Sequence, residues 1–435
     1  MGAQEEEEVK VVETCIVKPS EETPQRRLWL SPLDLVLVNR GHTPTVYFYR
    51  AEPGSGSGGG FFDVARMKAA MAKALVAFYP LAGRLSVDGN GRPEIDCASQ
   101  GAIFVVAHSD LTVDDFIDFQ PSPELRRLFV PRVIDESPSI MCAIQVTFLK
   151  CGGVAFGTAL HHVATDAIGA FHFLQTWAAL SKDGEDGALE ERPCHDRTLL
   201  RARSPPVVNP DVFSAFCPKL NLSKPSGSIV SEIFVISKDQ VAALKRACGR
   251  VSTFCAMSAH VWRCMCIARR LSSDATTRLT FPANVRRSLK PPLPVGYFGN
   301  GIIWLGTASK VKDITSMELA SVAGQVRGAV RRMDDELVHS AIDYFEMAEM
   351  DSKPAPGSMP ETELRVISWL GMPAYDVDFG WGKPLVMLRA VSERAGFVYL
   401  MDGAQGDGSV RMVVCAEDTF LKDFSRLLYA NLQNM

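Results

Sequence analysis

The stretch Val154-Ala-Phe-Gly-Thr-Ala-Leu160 is followed directly by His161-His162-Val-Ala-Thr-Asp166. A short apolar run of this kind predicts a buried β-strand, so the two histidines should stand at the end of a strand. His162 and Asp166 are four residues apart, a spacing that could place both on one helix face or orient a catalytic base from a loop. A buried structural histidine is the ordinary alternative. The small residues that follow His162 would let a ligand come close.

Outward from this stretch, strand and helix patterns alternate in both halves of the chain, which predicts an α/β or α+β fold. Between Ser181 and about Pro225 the hydrophobic periodicity fades, as expected of a crossover. The length of 435 residues predicts two domains, which we place at residues 1–181 and 226–435, with a linker at 182–225. The clearest patterns predict strands at Thr45–Tyr49 and Glu232–Ile236, helices at Asp63–Phe78, Ala170–Leu180 and Asp239–Cys248, a helix capped by Ser252 that runs through Cys264, and a helix opened by a capping box at Thr315 and Glu318.

The composition narrows the class of function. The net charge is −4 and the chain has no basic stripe interleaved with aromatic residues, so nucleic acid is not expected as a partner. Nowhere do about 18 apolar residues run without a charge, so no membrane span is predicted. The acidic start of the chain resembles no targeting segment. The eleven cysteines include no paired CxxC spacing, which predicts reduced thiols, a cytoplasmic location and no metal site.

Four motifs follow one another along the chain: Tyr79-Pro-Leu-Ala-Gly-Arg-Leu85, His162-Val-Ala-Thr-Asp166, Tyr297-Phe-Gly-Asn300 and Asp378-Phe-Gly-Trp-Gly382. With these motifs the chain resembles the BAHD acyltransferases of plants, from about Val17 to its C-terminal end. The resemblance implies two chloramphenicol-acetyltransferase-like domains, the first carrying the HxxxD motif and the second the DFGWG motif. It also implies an active-site channel between them, in which a coenzyme A thioester and an acceptor meet at the histidine.

The resemblance makes His162 the general base. It would take the proton from an acceptor hydroxyl or amine as that atom attacks the thioester carbonyl. An imidazole suits this role because its unperturbed pKa of about 6.5 leaves it largely neutral at cytosolic pH. The doubled histidine leaves His161 as a second candidate. Coenzyme A thioester is a cosubstrate in this reading, and no cofactor is expected.

The other motif residues are expected to orient and support. By the resemblance, Asp166 faces away from the substrate and pairs with Arg286. The DFGWG residues look structural, and they are Asp378, Gly380, Trp381 and Gly382. The chain departs from many family members at Ala167, where they have glycine after the aspartate.

Within the family, the chain is most similar to the hydroxycinnamoyltransferases. The segments that carry this likeness are Ser31–Leu35, His42–Tyr49 and Asp196–Arg203. The resemblance implies that the donor is p-coumaroyl-, caffeoyl- or feruloyl-CoA. It places four side chains around the acceptor, the acyl group or the thioester carbonyl and two near the pantetheine arm, although core packing is the alternative for each aromatic ring. These residues are His42, Thr45, Tyr47 and Trp369 for the first group and Ser252 and Thr253 for the second.

The acceptor is predicted from charge. No arginine stands between Tyr344 and Leu364, where shikimate- and quinate-acylating relatives use one to hold a carboxylate, and Gly371 replaces another. The same stretch carries five acids, which match a polyamine such as spermidine, putrescine or agmatine better than a carboxylate. Glycerol, shikimate or quinate are the alternatives, and a solvated acidic loop remote from the site is the ordinary explanation. The acids are Glu346, Glu349, Asp351, Glu361 and Glu363.

Three rival interpretations stay open. HHxxxD also occurs in the condensation domains of peptide synthetases, but the DFGWG motif and the absence of carrier domains argue against one. A non-catalytic acyl-CoA-binding protein of the same fold is disfavoured by the intact His162 and Asp166. A metal site built from His161, His162 and Asp166 would lack further ligands in the sequence. We expect small-molecule substrates and, because the two-domain site needs no partner subunit, a monomer.

Overall fold

The computed structural model describes residues 8–51, 60–116, 120–136, 139–184, 191–348, 357–392, 394–404 and 406–433. The strands are β1 (Val9–Val17), β2 (Arg26–Trp29), β3 (His42–Tyr49), β4 (Arg84–Val87), β5 (Pro93–Cys97), β6 (Ala102–Ser109), β7 (Cys142–Leu149), β8 (Val154–His161), β9 (Ile229–Ile236), β10 (Thr276–Asn284), β11 (Ile302–Lys310), β12 (Glu363–Ser368), β13 (Val386–Arg389), β14 (Phe397–Asp402) and β15 (Val410–Glu417). The α-helices are α1 (Pro32–Leu35), α2 (Val64–Ala77), α3 (Pro123–Phe129), α4 (Val133–Glu136), α5 (Ala167–Asp183), α6 (Lys238–Ala247), α7 (Thr253–Ala268), α8 (Val311–Ser316), α9 (Leu319–Arg331), α10 (Asp335–Met347) and α11 (Asp418–Gln433).

The first compact unit contains the described residues of 1–200, 294–300 and 372–391. Its main sheet has the strand order β1-β6-β7-β8-β3-β13, and a smaller sheet has the order β2-β5-β4. All residues of β8 are buried, as its continuous apolar sequence predicts for a strand covered on both faces. Helix α2 begins after Asp63, whose carboxylate accepts from the Arg66 amide at 2.9 Å. The Trp177 ring of α5 donates to the Met67 carbonyl of α2 at 2.9 Å, which ties the two helices together.

The second unit contains the described residues of 201–293, 301–371 and 392–435. Its sheet has the order β11-β10-β12-β14-β15-β9. Strands β10, β12 and β14 run parallel to one another, whereas the other pairings in this sheet are antiparallel. Helix α7 has the longest run of buried residues among the described helices of this unit, and Ser252 caps it by accepting from the Cys255 amide at 3.2 Å. Two sheet-rich units with helices confirm the predicted α/β (α+β) class.

The predicted strands and helices are confirmed, with one exception. Thr315 and Glu318 form no capping box, because α8 already begins at Val311 and Thr315 lies in its last turn. The Thr315 hydroxyl donates to the Val311 carbonyl four residues back at 2.9 Å. Helix α9 then begins after Glu318 without a side-chain cap. The sequence pattern concealed a break between two helices.

The division into units differs from the predicted domain boundaries. The DFGWG segment belongs to the first unit rather than to the C-terminal domain, because β13 follows it and pairs antiparallel with β3 from Val386↔Phe48 to Arg389↔Thr45. The first part of the predicted linker, up to Leu200, also belongs to the first unit. The His195 ring bonds to the Ala77 carbonyl at 2.8 Å. Such pairings join residues far apart in sequence, so composition alone could not show them. The predicted channel between the domains stays a prediction.

Among the residues that the structure describes, no helix is both long and apolar enough to cross a membrane. The same residues contain no group of three or more His, Cys, Asp or Glu side chains placed to hold a metal ion. All eleven cysteines are described, and each is a free thiol.

Candidate active site

His162 stands one residue beyond β8. Its amide donates to the Gly41 carbonyl at 2.8 Å, so the pairing of β8 with β3 continues for one more residue. Side chains alternate between the faces of a strand, which puts His162 on the face shared by Thr158 and Leu160. The residue is partly exposed, whereas its Nδ1 atom is buried and forms no hydrogen bond with the described residues. The histidine thus has a solvent-accessible side at the end of a rigid strand.

The same face of the sheet carries two of the predicted substrate-binding residues. Thr45 pairs with Thr158 across the strands, and their hydroxyls lie 2.6 Å apart. Tyr47 pairs with Phe156, and the two ring centres are 5.8 Å apart. Tyr47 is fully buried, and its hydroxyl forms no hydrogen bond with the described residues.

His42 does not share this face. Because successive side chains of a regular strand lie on opposite faces, His42 lies on the other face of β3 from Thr45 and Tyr47. It pairs with His161, and the two ring centres are 5.0 Å apart. Its Nε2 atom is 2.6 Å from the Ile140 carbonyl. The register therefore places His42 on the opposite face from Thr45 and Tyr47, and contact of the three residues with the acceptor or acyl group stays a prediction.

The structure distinguishes the two candidate bases. His161 is 2% exposed, and its Nδ1 atom accepts from the Val163 amide at 3.2 Å. Burial, with smaller contributions from His42 and His162, lowers the pKa of His161 to about 3. The His161 ring is packed in the core and bonded to the turn after β8, so His162 is the more exposed of the two candidates and stays the predicted base.

His162 is neutral at physiological pH. Burial is the main cause that lowers its pKa to about 4, the positive charge of Arg40 acts in the same direction, and the Asp166 carboxylate acts in the opposite direction. Arg389 also lowers this pKa. A neutral imidazole can accept a proton at pH 7 without first losing one, although a low pKa makes it a weaker base. The group is suited to deprotonating an acceptor whose proton becomes acidic only as its bond to carbon forms.

Asp166 shapes the chain behind His162. It is 3% exposed and caps α5, where its carboxylate accepts from the Gly169 amide at 3.3 Å. Ala167 is the first residue of α5, so the departure from glycine falls at an ordinary helical position. Arg286, 6% exposed, belongs to the second unit, and its pairing with Asp166 stays a prediction.

The DFGWG segment forms a tight loop held by its own aspartate. One oxygen of Asp378 accepts from the amides of Gly380 and Gly382, both at 2.9 Å, and the other is 2.8 Å from the Lys182 ammonium. Burial alone would raise the pKa of Asp378, but these hydrogen bonds outweigh it and the pKa is lowered. Both glycines have left-handed backbone angles, with φ of 101° and 95°.

Aromatic packing fastens this loop to the rest of the first unit. Phe379 is fully buried, with its ring centre 5.0 Å from that of Trp177. Trp381 stacks on Phe62 at 5.2 Å. The Arg66 guanidinium lies 4.5 Å from the Trp381 ring centre and donates to the Phe379 carbonyl at 2.9 Å. The arrangement supports a structural role for the segment.

The remaining predicted residues lie in the second unit. Trp369 follows β12, is 8% exposed and donates its amide to the Leu400 carbonyl at 2.8 Å. Ser252 and Thr253 form the partly exposed start of α7. Contact of Trp369 with a thioester and of Ser252 and Thr253 with coenzyme A stay predictions.

Sequence reasoning missed the residues that hold the backbone of the His162 turn. The Asn300 side-chain amide donates to the His162 carbonyl at 2.9 Å, and the Arg197 guanidinium donates to the Ala164 carbonyl at 2.7 Å. Asn300 ends a motif already noted in the sequence, but only its family pattern singled it out. The burial of Arg197 could not be predicted from the sequence, because arginines are rarely buried.

The comparison with known proteins agrees with this geometry. The model of the Transferase family matches residues 7–429. Putrescine hydroxycinnamoyltransferase 1 of Oryza sativa subsp. japonica is 46% identical over 98% of this chain and 99% of its own length. The chain belongs to the BAHD acyltransferase family. Shikimate O-hydroxycinnamoyltransferase of Nicotiana tabacum is 39% identical over 97% of the chain and 99% of its own length. Family membership confirms the prediction of a CoA-dependent acyltransferase.

Solved structures agree on the fold of this BAHD acyltransferase. Vinorine synthase superposes with a TM-score of 0.77 at 24% identity, covering 97% of this chain and 98% of that one. The first condensation domain of the CDA synthetase superposes with a TM-score of 0.59 at 15% identity, covering 93% and 95%. The likeness to a condensation domain reflects the shared fold, while the family match separates this chain from that class.

Proposed function

We propose that this BAHD acyltransferase transfers a hydroxycinnamoyl group from a coenzyme A thioester to an amine, with His162 as general base. The observation that carries the proposal is the neutral, partly exposed imidazole at the end of β8. In the reaction, the acceptor nitrogen attacks the thioester carbonyl while His162 takes its proton. The tetrahedral oxyanion then collapses, the carbon–sulfur bond breaks, and the thiolate of coenzyme A leaves.

The names of the relatives support the donor. The putrescine and shikimate enzymes described above carry hydroxycinnamoyltransferase in their names, and so does a 5-hydroxyanthranilate N-hydroxycinnamoyltransferase of Avena sativa, 36% identical over 97% of this chain and 99% of its own length. Coumaroyl-, caffeoyl- or feruloyl-CoA would then be the cosubstrate of this chain. The ring of Tyr47 is a candidate for contact with the aromatic acyl group.

The amine acceptor is supported by the putrescine enzyme more than by the acidic stretch. Glu363 is 8% exposed and is already neutralised by Arg278, at 2.6 Å, and bonded by Asn221, at 2.7 Å. Glu349 and Asp351 lie outside the described residues. Glu363 is therefore not available to bind an ammonium group, and the structure gives no support for Glu349 and Asp351 in that role.

One observation favours a second candidate, transfer to the hydroxyl of a carboxylate such as shikimate or quinate. Arg389 stands opposite Thr45, which stands opposite Thr158, so the three share a row and a face with His162. Arg40 acts on the same imidazole. Positive charge on this face would attract a carboxylate and oppose an ammonium group.

Thiol release from p-coumaroyl-CoA by the purified protein distinguishes these functions. It should be measured separately with putrescine, spermidine, agmatine, glycerol and shikimate. The His162→Ala variant should lose about 10²- to 10⁴-fold in kcat while the KM for the acceptor changes little. An unchanged kcat would refute the role of His162. Release with shikimate alone would establish the second candidate, and no release with any acceptor would favour a non-catalytic acyl-CoA-binding protein.

The prediction of a cytoplasmic monomer also stays a proposal. Sedimentation of the purified protein would give its oligomeric state, and fractionation of tissue with an antibody would give its location.

A further inference from the structure

Three segments far apart in sequence meet behind the turn that follows β8. Asp34 lies in α1, Arg197 follows the predicted first domain, and Asn300 ends the Tyr297–Asn300 motif. The Asp34 carboxylate is 2.7 Å from the Arg197 guanidinium. The same carboxylate oxygen accepts from the Asn300 amide at 3.0 Å and from its side-chain nitrogen at 2.9 Å. Asp34 is therefore the centre of a buried cluster.

The cluster is fully withdrawn from water. Asp34 is 0% exposed and Arg197 is 1% exposed at their side chains. The second oxygen of Asp34 accepts from the Ser31 amide at 3.0 Å and from the Ser31 hydroxyl at 2.7 Å, so the carboxylate is bonded on both sides. Buried ion pairs are weak evidence of stabilisation, because apolar residues of similar volume often replace them without loss. The effect of the Asp34–Arg197 ion pair in this fold therefore concerns the geometry of the neighbouring backbone.

That geometry concerns the carbonyl groups next to the base. Asn300 donates to the carbonyl of His162 and Arg197 to that of Ala164, while Asp34 fixes both donors. The turn is thus held at two carbonyls, one of them that of His162 itself, by two side chains that both bind Asp34.

Gly299 shows how closely the cluster is built. A Cβ atom at this position would lie 2.7 Å from Nε and 2.8 Å from Cζ of Arg197. Glycine leaves room for the guanidinium, and the neighbouring Asn300 supplies the second donor to the turn. Two residues of one sequence motif thus serve the same turn.

We propose that Asp34 and Arg197 are positioning residues for His162, acting through the turn at residues 162–164. They touch no substrate. The inference rests on the proposed role of His162 as general base. A misplacement of about 1 Å at a catalytic group can cost on the order of 10²-fold in rate, so loss of the ion pair should lower kcat by roughly this factor and change the KM for either substrate less than about threefold.

The test compares two buried arginines. Arg269 is an internal control, because its guanidinium is 0% exposed, lies 3.0 Å from the carboxylate of Glu417 and donates to the Glu361 carbonyl at 2.8 Å. It belongs to the second unit, whereas the His162 turn belongs to the first. Steady-state kinetics with p-coumaroyl-CoA and the best acceptor would be measured for Arg197→Met, Arg197→Lys and Arg269→Met, alongside His162→Ala. Only protein that is folded by circular dichroism at the assay temperature would be compared.

The expected result is a fall in kcat for Arg197→Met, a partial recovery in Arg197→Lys, and a kcat for Arg269→Met close to that of the unchanged protein. The double variant Asp34→Asn with Arg197→Met removes both charges. It should recover stability relative to Arg197→Met but keep the low kcat, because the Ala164 carbonyl still lacks the guanidinium donor. Equal kcat in Arg197→Met and Arg269→Met, or full recovery of kcat in the double variant, would overturn the proposal. If His162→Ala retained activity, the proposed function itself would fail, which is a separate outcome.

If Arg197→Met does not fold, Gly299→Ala provides the second variant. The added methyl group should displace the guanidinium without removing a charge, and kcat should again fall at nearly constant KM. An unchanged kcat in a folded Gly299→Ala protein would also refute the proposal.

Discussion

Replacing Gly380 with alanine tests how the DFGWG loop is held. Its φ of 101° lies in the left-handed region, and a Cβ atom there would come within 2.2 Å of the Arg66 guanidinium. Gly382 is the matched control. Its φ of 95° is similar, but no heavy atom lies within 4 Å of the position that its Cβ would take. The two variants share the backbone strain and differ in the clash.

The magnitude follows from what each variant loses. A non-glycine residue in the left-handed region costs about 1–2 kcal/mol, and both variants bear that cost. In Gly380→Ala the guanidinium must also leave the Phe379 carbonyl, a charged hydrogen bond of about 1.5–3 kcal/mol. It must leave the face of Trp381 as well, for about 0.5–1 kcal/mol. We expect Gly380→Ala to destabilise the first unit by roughly 3–6 kcal/mol and Gly382→Ala by about 1–2 kcal/mol.

Urea denaturation, followed by the fluorescence of the tryptophans, would measure both changes, with thermal unfolding as a second probe. Because a protein with two units need not unfold in one step, the comparison should use the transition that shifts in Gly380→Ala. Equal destabilisation by the two substitutions would show that the Arg66 contact contributes nothing. A large fall in kcat for folded Gly382→Ala protein would refute the structural reading of this motif.

Three further predictions concern charge. With a neutral alcohol as acceptor, kcat/KM should stay constant as pH falls through 6.5 and decline only near pH 4, because the free imidazole of His162 has its pKa lowered to about 4; an acid limb near 6.5 would contradict this. Burial is the main cause that lowers the pKa of His161 to about 3 and that of His195 to about 4. Below about pH 6.5 both histidines therefore bind protons in the unfolded chain but not in the folded one. The free energy of unfolding should therefore fall as pH drops from about 6.5 toward 4, by up to about 1.4 kcal/mol per histidine per pH unit, and an unfolding midpoint in urea that is the same at pH 7 and pH 5 would contradict this. Replacing Arg389 with glutamine should raise the ratio of kcat/KM for putrescine to kcat/KM for shikimate about twofold to fivefold. The control Arg389→Lys keeps the positive charge and should leave this ratio near its original value. An unchanged ratio in Arg389→Gln would show that Arg389 does not act on the acceptor.

The pH profile also separates the two acceptor classes. A primary amine has a pKa of about 10 and reacts in its neutral form, so the apparent kcat/KM with putrescine should rise with pH up to that range. The profile with a hydroxyl acceptor has no such limb. Comparing the two profiles on one preparation would assign the limb to the substrate rather than to the enzyme.

Several parts of the fold were accessible from local sequence patterns. The apolar run before His161 predicted β8, and Asp63 and Ser252 marked the starts of α2 and α7. Alternation along β3 also contains the information that His42 faces away from Thr45 and Tyr47, since odd and even positions of a strand take opposite faces. The register of β3 against β8 agrees with this alternation, and a substrate contact of His42 stays a prediction.

Other features depend on residues brought together by folding. The five acids near Trp369 looked available by their number, yet Glu363 is buried against Arg278 on the neighbouring strand β10. The position of the DFGWG motif in the chain suggested the C-terminal domain, whereas the pairing of β13 with β3 assigns it to the first unit. A sequence shows that charged or aromatic residues exist but does not show which partners neutralise or cover them.

The α/β class, most element positions and the acyltransferase family could be predicted without a structure, because periodicity, caps and motifs are properties of short segments. The exposure of each histidine, the groups that shift the pKa of His162 and the side chains that hold its turn became known only from the folded chain. Burial and electrostatic interaction act through space, and the cluster at Asp34, Arg197 and Asn300 joins segments separated by more than 100 residues. Acyl transfer could thus be predicted from the motif around His162, whereas the pKa and the position of this histidine depend on contacts that form only when the chain folds.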